Sequence, residues 1–165
     1  FKRFPWNGLT LKEVESQIVD RVQELVLEKG RALPGVRQAL DFFHKKNLPL
    51  ALASSSPQRL IQTVVNHVHI TSDFKIIHSG EHEPYGKPHP AIFLTTAQLL
   101  NCDPTHCLVI EDSFNGLIAA KAARMKTICI PEHASFDQTS FDIADVKLKS
   151  LNELTEEIFD VLNRH

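Results

Sequence analysis

Cysteine is scarce. Cys102, Cys107 and Cys129 are the three thiols in 165 residues, and no Cys-x-x-Cys pair occurs. An odd thiol count without that spacing argues against a disulfide scaffold, a zinc ribbon or a thioredoxin-type site. Cys107 and Cys129 sit in apolar runs and read as small buried hydrophobes, which implies a reducing, cytoplasmic setting. An excess of one charge is lacking too. Eighteen Lys+Arg against 20 Asp+Glu leave a net charge of -2. That balance gives no electrostatic footprint for a nucleic-acid backbone, so no nucleic-acid partner is expected. No apolar run approaches the roughly 20 residues that cross a bilayer, so no membrane partner is expected. Repeats and low-complexity tracts are absent. The opening FKRFPWNGLT has neither an initiator Met nor a signal-peptide core, and reads as the interior of a longer polypeptide.

What is present is ordinary globular material, 42% hydrophobic and 23% charged, of one-domain length. Residues 10–29 carry a capping box at Thr10 and Glu13, with Leu11, Val14, Ile18, Val22, Leu25 and Val26 at helical spacing. Gly30 suits the stop. A second helix is predicted over 36–46, burying Val36, Leu40 and Phe43. Leu48 to Ala53 is a continuous apolar run, the pattern of a strand buried on both faces. Pro57 opens a helix with Leu60, Ile61, Val64 and Val65. Residues 74–78 form a second strand and 80–88 a loop. Pro90 opens a helix carrying Ile92, Phe93, Ala97 and Leu100. Strands at 107–110 and 127–130 flank an Ala-rich helix over 114–125. A short edge strand is predicted at 145–148. Ser150 and Glu153 are predicted to cap a last helix with Leu154, Ile158, Val161 and Leu162. Strands alternating with helices predict an α/β fold with a mostly parallel sheet, whose ligands bind beyond the carboxyl ends of the strands.

Three strand ends carry polar groups. Ser54, Ser55 and Ser56 follow the first strand and precede a helix. Hydroxyls and free N–H groups there suit an anion, although Ser56 serving only as a helix cap is the simpler alternative. Lys87, in Gly86-Lys87-Pro88-His89-Pro90, lies just before a helix N-terminus, where the dipole disfavours a cation unless an anion is near. An exposed Lys in a Pro-rich turn is the alternative. Glu111 and Asp112 end an apolar strand as adjacent carboxylates, a pair that a hard divalent cation such as Mg²⁺ would reconcile. A capping Asp beside a solvated Glu is the alternative. Hydroxyls, a Lys and an acid pair on one sheet edge suit phosphoryl transfer, which relies on positioning and charge stabilisation.

The segments ALASSSP, GKPHPAIF and VIEDSFNGLIAAKAARM resemble motifs two, three and four of the haloacid dehalogenase (HAD) superfamily. Together with PWNG, LPGVR and ADVKL, they are similar to its subgroup of β-phosphoglucomutase and sugar-phosphate phosphatases, hexitol phosphatases among them. The resemblance implies a three-layer Rossmann-like core over residues 31–165 and the later part of a helical cap over residues 1–30. It implies that Ser54 donates its hydroxyl to the transferring phosphoryl group, helped by the Ser55 N–H. It implies that Lys87 pairs with the phosphate and the nucleophile, that Asp112 binds Mg²⁺ directly, that Glu111 assists as a ligand or through water, and that Ser113 supports that shell. By position, Ser56 and Gln58 would touch the substrate beyond the reacting phosphate. Trp6 and Asn7 would face the substrate, with a buried Trp as the alternative.

The superfamily's first motif, Asp-x-Asp, is absent from these residues. It would supply the nucleophile and the general acid/base on a strand at the centre of the sheet. The expectation is therefore a gap, or a foreign strand, beside the strand at 48–53, with the attacking carboxylate in a missing upstream segment. The expected activity is Mg²⁺-dependent hydrolysis of small phosphorylated sugars or polyols. A phosphomutase and a non-catalytic phosphate-binding module are the alternatives. A dehalogenase fits less well, because that chemistry needs no metal. The nine histidines show no zinc spacing. His67, His69, His78 and His82 are expected in surface or loop roles, His89 near the site mouth, Glu81 to Glu83 in a solvated loop, and 133–141 as a surface connection.

Overall fold

The computed structural model describes residues 8–163; Trp6 and Asn7 lie outside the described residues. Five short strands alternate with helices, and every pairing is parallel. Strand β1 (Ala51–Ser54) pairs with β2 (Ile76–Ser79), Ser54 lying opposite Ser79. Strand β3 (Leu108–Glu111) pairs with β4 (Lys126–Cys129), and β4 pairs with the short edge strand β5 (Val146–Lys147). The sheet is thus in two pieces, β1-β2 and β3-β4-β5. Among the described residues, β1 and β3 each have one edge without a strand partner.

A cleft of about 520 Å³ separates those edges, lined among others by Leu52, Ala53, Phe93, Val109, Ile110 and Met125. This is the expected gap. It also corrects the burial expected of the first strand. Residues of β1 are half-buried, not enclosed, because its second edge opens on the cleft.

The helices cover the strands. Helix α1 (Leu11–Lys29) starts at the predicted box: the Glu13 N–H donates to Thr10 Oγ1 at 3.2 Å, and the Thr10 N–H donates to Glu13 at 2.7 Å. Helices α2 (Val36–Lys45) and α3 (Gln58–His67) flank β1, α4 (Ala91–Leu100) precedes β3, and α5 (Phe114–Ala122) links β3 to β4. Gly35, at φ +89°, turns the chain into α2 where a Cβ would meet the backbone at Leu151 and Asn152. The central core joins Ile92, Phe93 and Ala97 of α4 to Ala119 and Ala120 of α5, with Val109 and Met125. Fully burying a side chain such as Ile92 contributes about 1.5–3 kcal/mol relative to exposure.

Several local expectations need correction. The apolar stripe of α1 stays largely open, with Leu11 and Ile18 exposed and Val19 buried. Its contact with α3 is substantially polar: Gln23 donates to Thr63 Oγ1 at 2.6 Å, and Arg59 pairs with Asp20. The last helix, α6 (Glu156–Asn163), starts later than predicted. Ser150 caps a 3-10 turn at Leu151–Glu153, and the Glu153 carboxylate accepts the Lys149 N–H, so neither residue caps α6. Val161 is exposed, while Leu162 is buried. His78 lies in β2, not on the surface, and its Nε2 is 2.7 Å from Glu83, whose side chain is only 6% exposed. Glu83 is therefore not solvated. Phe141, in the expected surface connection, is buried with Leu117 and Cys129.

Candidate active site

The carboxyl ends of β1 and β3 converge on a polar cavity of about 310 Å³. Ala53, Ser54, Ser55, Ser56, Lys87, Ile110, Glu111, Asp112 and Ser113 line it. Ser54, Lys87 and Asp112 therefore face one space although the chain separates them widely. Gln58 is not brought there. Its backbone N–H donates to the Glu81 carboxylate at 2.8 Å, and Ser56 does not cap α3, whose N-cap is Pro57.

The serine loop is pinned from below. Ser54 Oγ accepts the Ser56 N–H at 3.2 Å, which leaves its own O–H proton free to donate into the cavity. The fully buried Ser79 donates from Oγ to the Ser56 carbonyl at 2.7 Å. Gly80 passes so close that a Cβ there would stand 3.2 Å from Ser55 Cα. Ser79 and Gly80 were missed at the sequence level. The small residues Ser-Gly at a strand end were the available signal.

Lys87 reaches in from the loop before α4. Its ammonium pairs with Glu111 Oε1 and lies 4.7 Å above the Phe93 ring centroid, a cation–π placement. Glu111 ends β3 and turns back over the first turn of α5. Its Oε2 accepts the Asp112 N–H at 2.9 Å, the Ser113 N–H at 3.1 Å and the Ser113 hydroxyl at 3.3 Å. Ser113 Oγ in turn accepts the Gly116 N–H at 3.0 Å and caps α5. Burial pushes the Glu111 carboxyl up, but Lys87 and these donors outweigh it and hold the group below the usual carboxylate range. Asp112 moves the other way. Desolvation against the cavity wall and the adjacent Glu111 charge raise it above the ordinary Asp value.

The donor set decides whether a divalent cation fits. Asp112 and Glu111 line the cavity together with Ser54, Ser55, Ser56 and Ser113, an all-oxygen set of side chains. A hard cation with oxygen ligands suits this donor chemistry. Among the described residues, no three His, Cys, Asp or Glu side chains converge as a complete ligand set. Water, phosphate and further carboxylate oxygens would have to complete the coordination. The cavity and the apolar cleft share Ala53, Ile110 and Glu111 in their walls, so the cleft leads into the site. His89, expected near the mouth, is exposed, its ring 4.7 Å from that of Tyr85, and it is not part of the cavity wall.

Comparison with known proteins gives the family. The model of the haloacid dehalogenase-like hydrolase family matches residues 4–124. Hexitol phosphatase B of Escherichia coli K12 is 41% identical over 155 residues, covering 94% of this chain and 70% of that protein. A phosphorylated carbohydrates phosphatase of Thermotoga maritima is 33% identical over 119 residues, covering 72% of this chain and 55% of that protein. The crystal structure of β-phosphoglucomutase from Clostridium difficile superposes with a TM-score of 0.77 at 27% identity, covering 93% of this chain and 65% of the other. The chain belongs to the haloacid dehalogenase-like hydrolases.

Proposed function

We propose that the chain is the greater part of a Mg²⁺-dependent phosphatase acting on small sugar or sugar-alcohol phosphates through an aspartyl-phosphate. The observation that carries this reading is the convergence of Ser54, Lys87 and Asp112 on one cavity that opens from a strand-wide apolar cleft. The identity to hexitol phosphatase B supports the substrate class.

The Ser54 hydroxyl and the Ser55 N–H donate to the non-bridging oxygens of the phosphoryl group. Lys87 offsets the negative charge that builds on it. Asp112 would hold the Mg²⁺, with Glu111 in support. When bound, the metal would neutralise phosphate charge. The attacking carboxylate rides on a further strand, seated between β1 and β3 and parallel to both. Its oxygen forms a bond to phosphorus as the ester O–P bond breaks, and the leaving alcohol takes a proton from a second carboxylic acid on that strand. Water then cleaves the acyl phosphate. Residues 1–30 belong to a cap that closes over the site, and residues 31–165 form the core.

The likeness to β-phosphoglucomutase keeps a mutase as the second reading. Both are tested by screening the complete gene product against hexose and hexitol phosphates, with and without Mg²⁺. Metal-dependent phosphate release supports the phosphatase. Isomer conversion without net release supports the mutase. Neither activity on any sugar phosphate would leave a non-catalytic binding module.

A further inference from the structure

Helix interiors disfavour glycine relative to alanine, yet Gly116 sits buried in the first turns of α5. The three atoms nearest to a Cβ built at Gly116 all belong to Glu111: Oε1 and Cδ would overlap it, and Oε2 would stand at 2.7 Å. The space where a side chain would be is filled by a carboxylate.

We propose that Gly116 is a positioning residue of the site: its missing side chain is the seat of the Glu111 carboxylate, which holds the Lys87 ammonium at the cavity wall. The N-terminal turn of α5 makes the seat attractive to an anion, through the Asp112 and Ser113 N–H groups and the Ser113 hydroxyl. The other oxygen is left for Lys87, whose side chain is 12% exposed. Glu111 is thereby engaged by four donors, the Lys87 ammonium among them. A methyl group at position 116 would expel the carboxylate, not the helix, because the atoms in its way end a flexible side chain. The damage falls on the hold over Lys87 before it falls on the fold. Its consequence for turnover rests on the phosphatase reading, whereas the contact itself does not.

The test is acylation of lysines by an amine-reactive reagent on the 165-residue chain, followed by mass spectrometry, with no phosphate or metal present. Gly116→Ala is expected to raise labelling of Lys87 several-fold and to leave Lys121, on the same helix, unchanged. In a Glu111→Asp background, where the shorter carboxylate already stands back from the seat, Gly116→Ala is expected to add little. Unchanged Lys87 labelling in Gly116→Ala, or an equal rise at Lys121, overturns the proposal. If Gly116→Ala fails to fold alone, recovery of folding in the Glu111→Asp background supports it, and failure in both backgrounds overturns it. Because no phosphate is used, a negative result here is separate from a failed substrate screen.

Discussion

Asp145 and Thr127 hold each other by three hydrogen bonds across the junction of β4 and β5. Asp145 Oδ2 accepts the Thr127 N–H and hydroxyl, each at 2.8 Å, and the Asp145 N–H donates to Thr127 Oγ1 at 3.1 Å. Thr127 is fully buried, so its donors have no water to fall back on. Asp145→Ala is expected to cost about 2–3 kcal/mol through orphaned buried groups, read from urea unfolding at neutral pH. Burial raises the Asp145 carboxyl, but Lys121 and Thr127 outweigh it and leave it below the ordinary Asp value. A depressed folded value means the contribution is present above the unfolded pKa and is lost as pH falls through the folded one. The stability difference between wild type and variant should therefore shrink on titrating below about pH 4. A difference that is constant from pH 7 to pH 2 would refute it.

Asp112→Asn keeps the shape of the residue and removes the charge that would hold the metal. In the complete enzyme, Mg²⁺-dependent turnover should vanish while the far-ultraviolet circular dichroism stays as in wild type. Retained metal-dependent activity would remove the assignment of Asp112.

Lys87→Ala takes a preorganised cation from the cavity wall. The expected loss in kcat is about 10²–10³, the range for removing one such charge-stabilising group. A change within the error of the assay would show that Lys87 serves the loop and not the phosphate.

The cleft between β1 and β3 exposes apolar side chains in a slot of about 520 Å³. The 165-residue chain should therefore enhance and blue-shift anilinonaphthalene sulfonate fluorescence while its thermal unfolding stays cooperative. No enhancement with a folded chain would argue that the slot closes in solution.

The thiols should separate by reactivity. Burial pushes Cys107 up to about 12 and Cys129 up to about 11, so little thiolate forms at either near neutral pH. Titration of the native chain with a disulfide reagent at pH 8 should consume Cys102 first, half-buried Cys107 more slowly, and fully buried Cys129 only after unfolding. Three equally fast thiols would contradict this burial.

The strand-end chemistry was legible because it is local. A buried run stops at hydroxyls or carboxylates, and parallel topology gathers such ends on one edge; Ser54, Lys87 and Asp112 meet for that reason. The capping box at Thr10 was legible for the same reason, since its partners lie three residues apart. What stayed hidden depends on neighbours distant in sequence. The half-burial of β1 follows from the open edge, which its own apolar residues do not encode. His78, at the end of a predicted strand, and Glu83, in a predicted loop, look polar and outward-facing, yet they pair in the interior. The placement of Glu111 could not be read either: its direction is set by the N–H groups of the following turn and by the room above Gly116. At α6, Ser150 and Glu153 matched a capping pattern but were taken up by a 3-10 turn, leaving the helix to start at Glu156.

Helix α4 touches both halves of the divided sheet, its Ile92, Phe93 and Ala97 packing in one cluster with Val109 of β3 and with Ala53 of β1. Ser54 rides on one half and Asp112 lies at the end of the other, and among the described residues no ladder of backbone bonds joins the two halves. The spacing of the two is therefore gauged by side chains on a single helix, which acts as a calliper for the cavity. Shortening the Phe93 side chain would change the distance between the jaws, and remove the ring under Lys87, without replacing any polar residue.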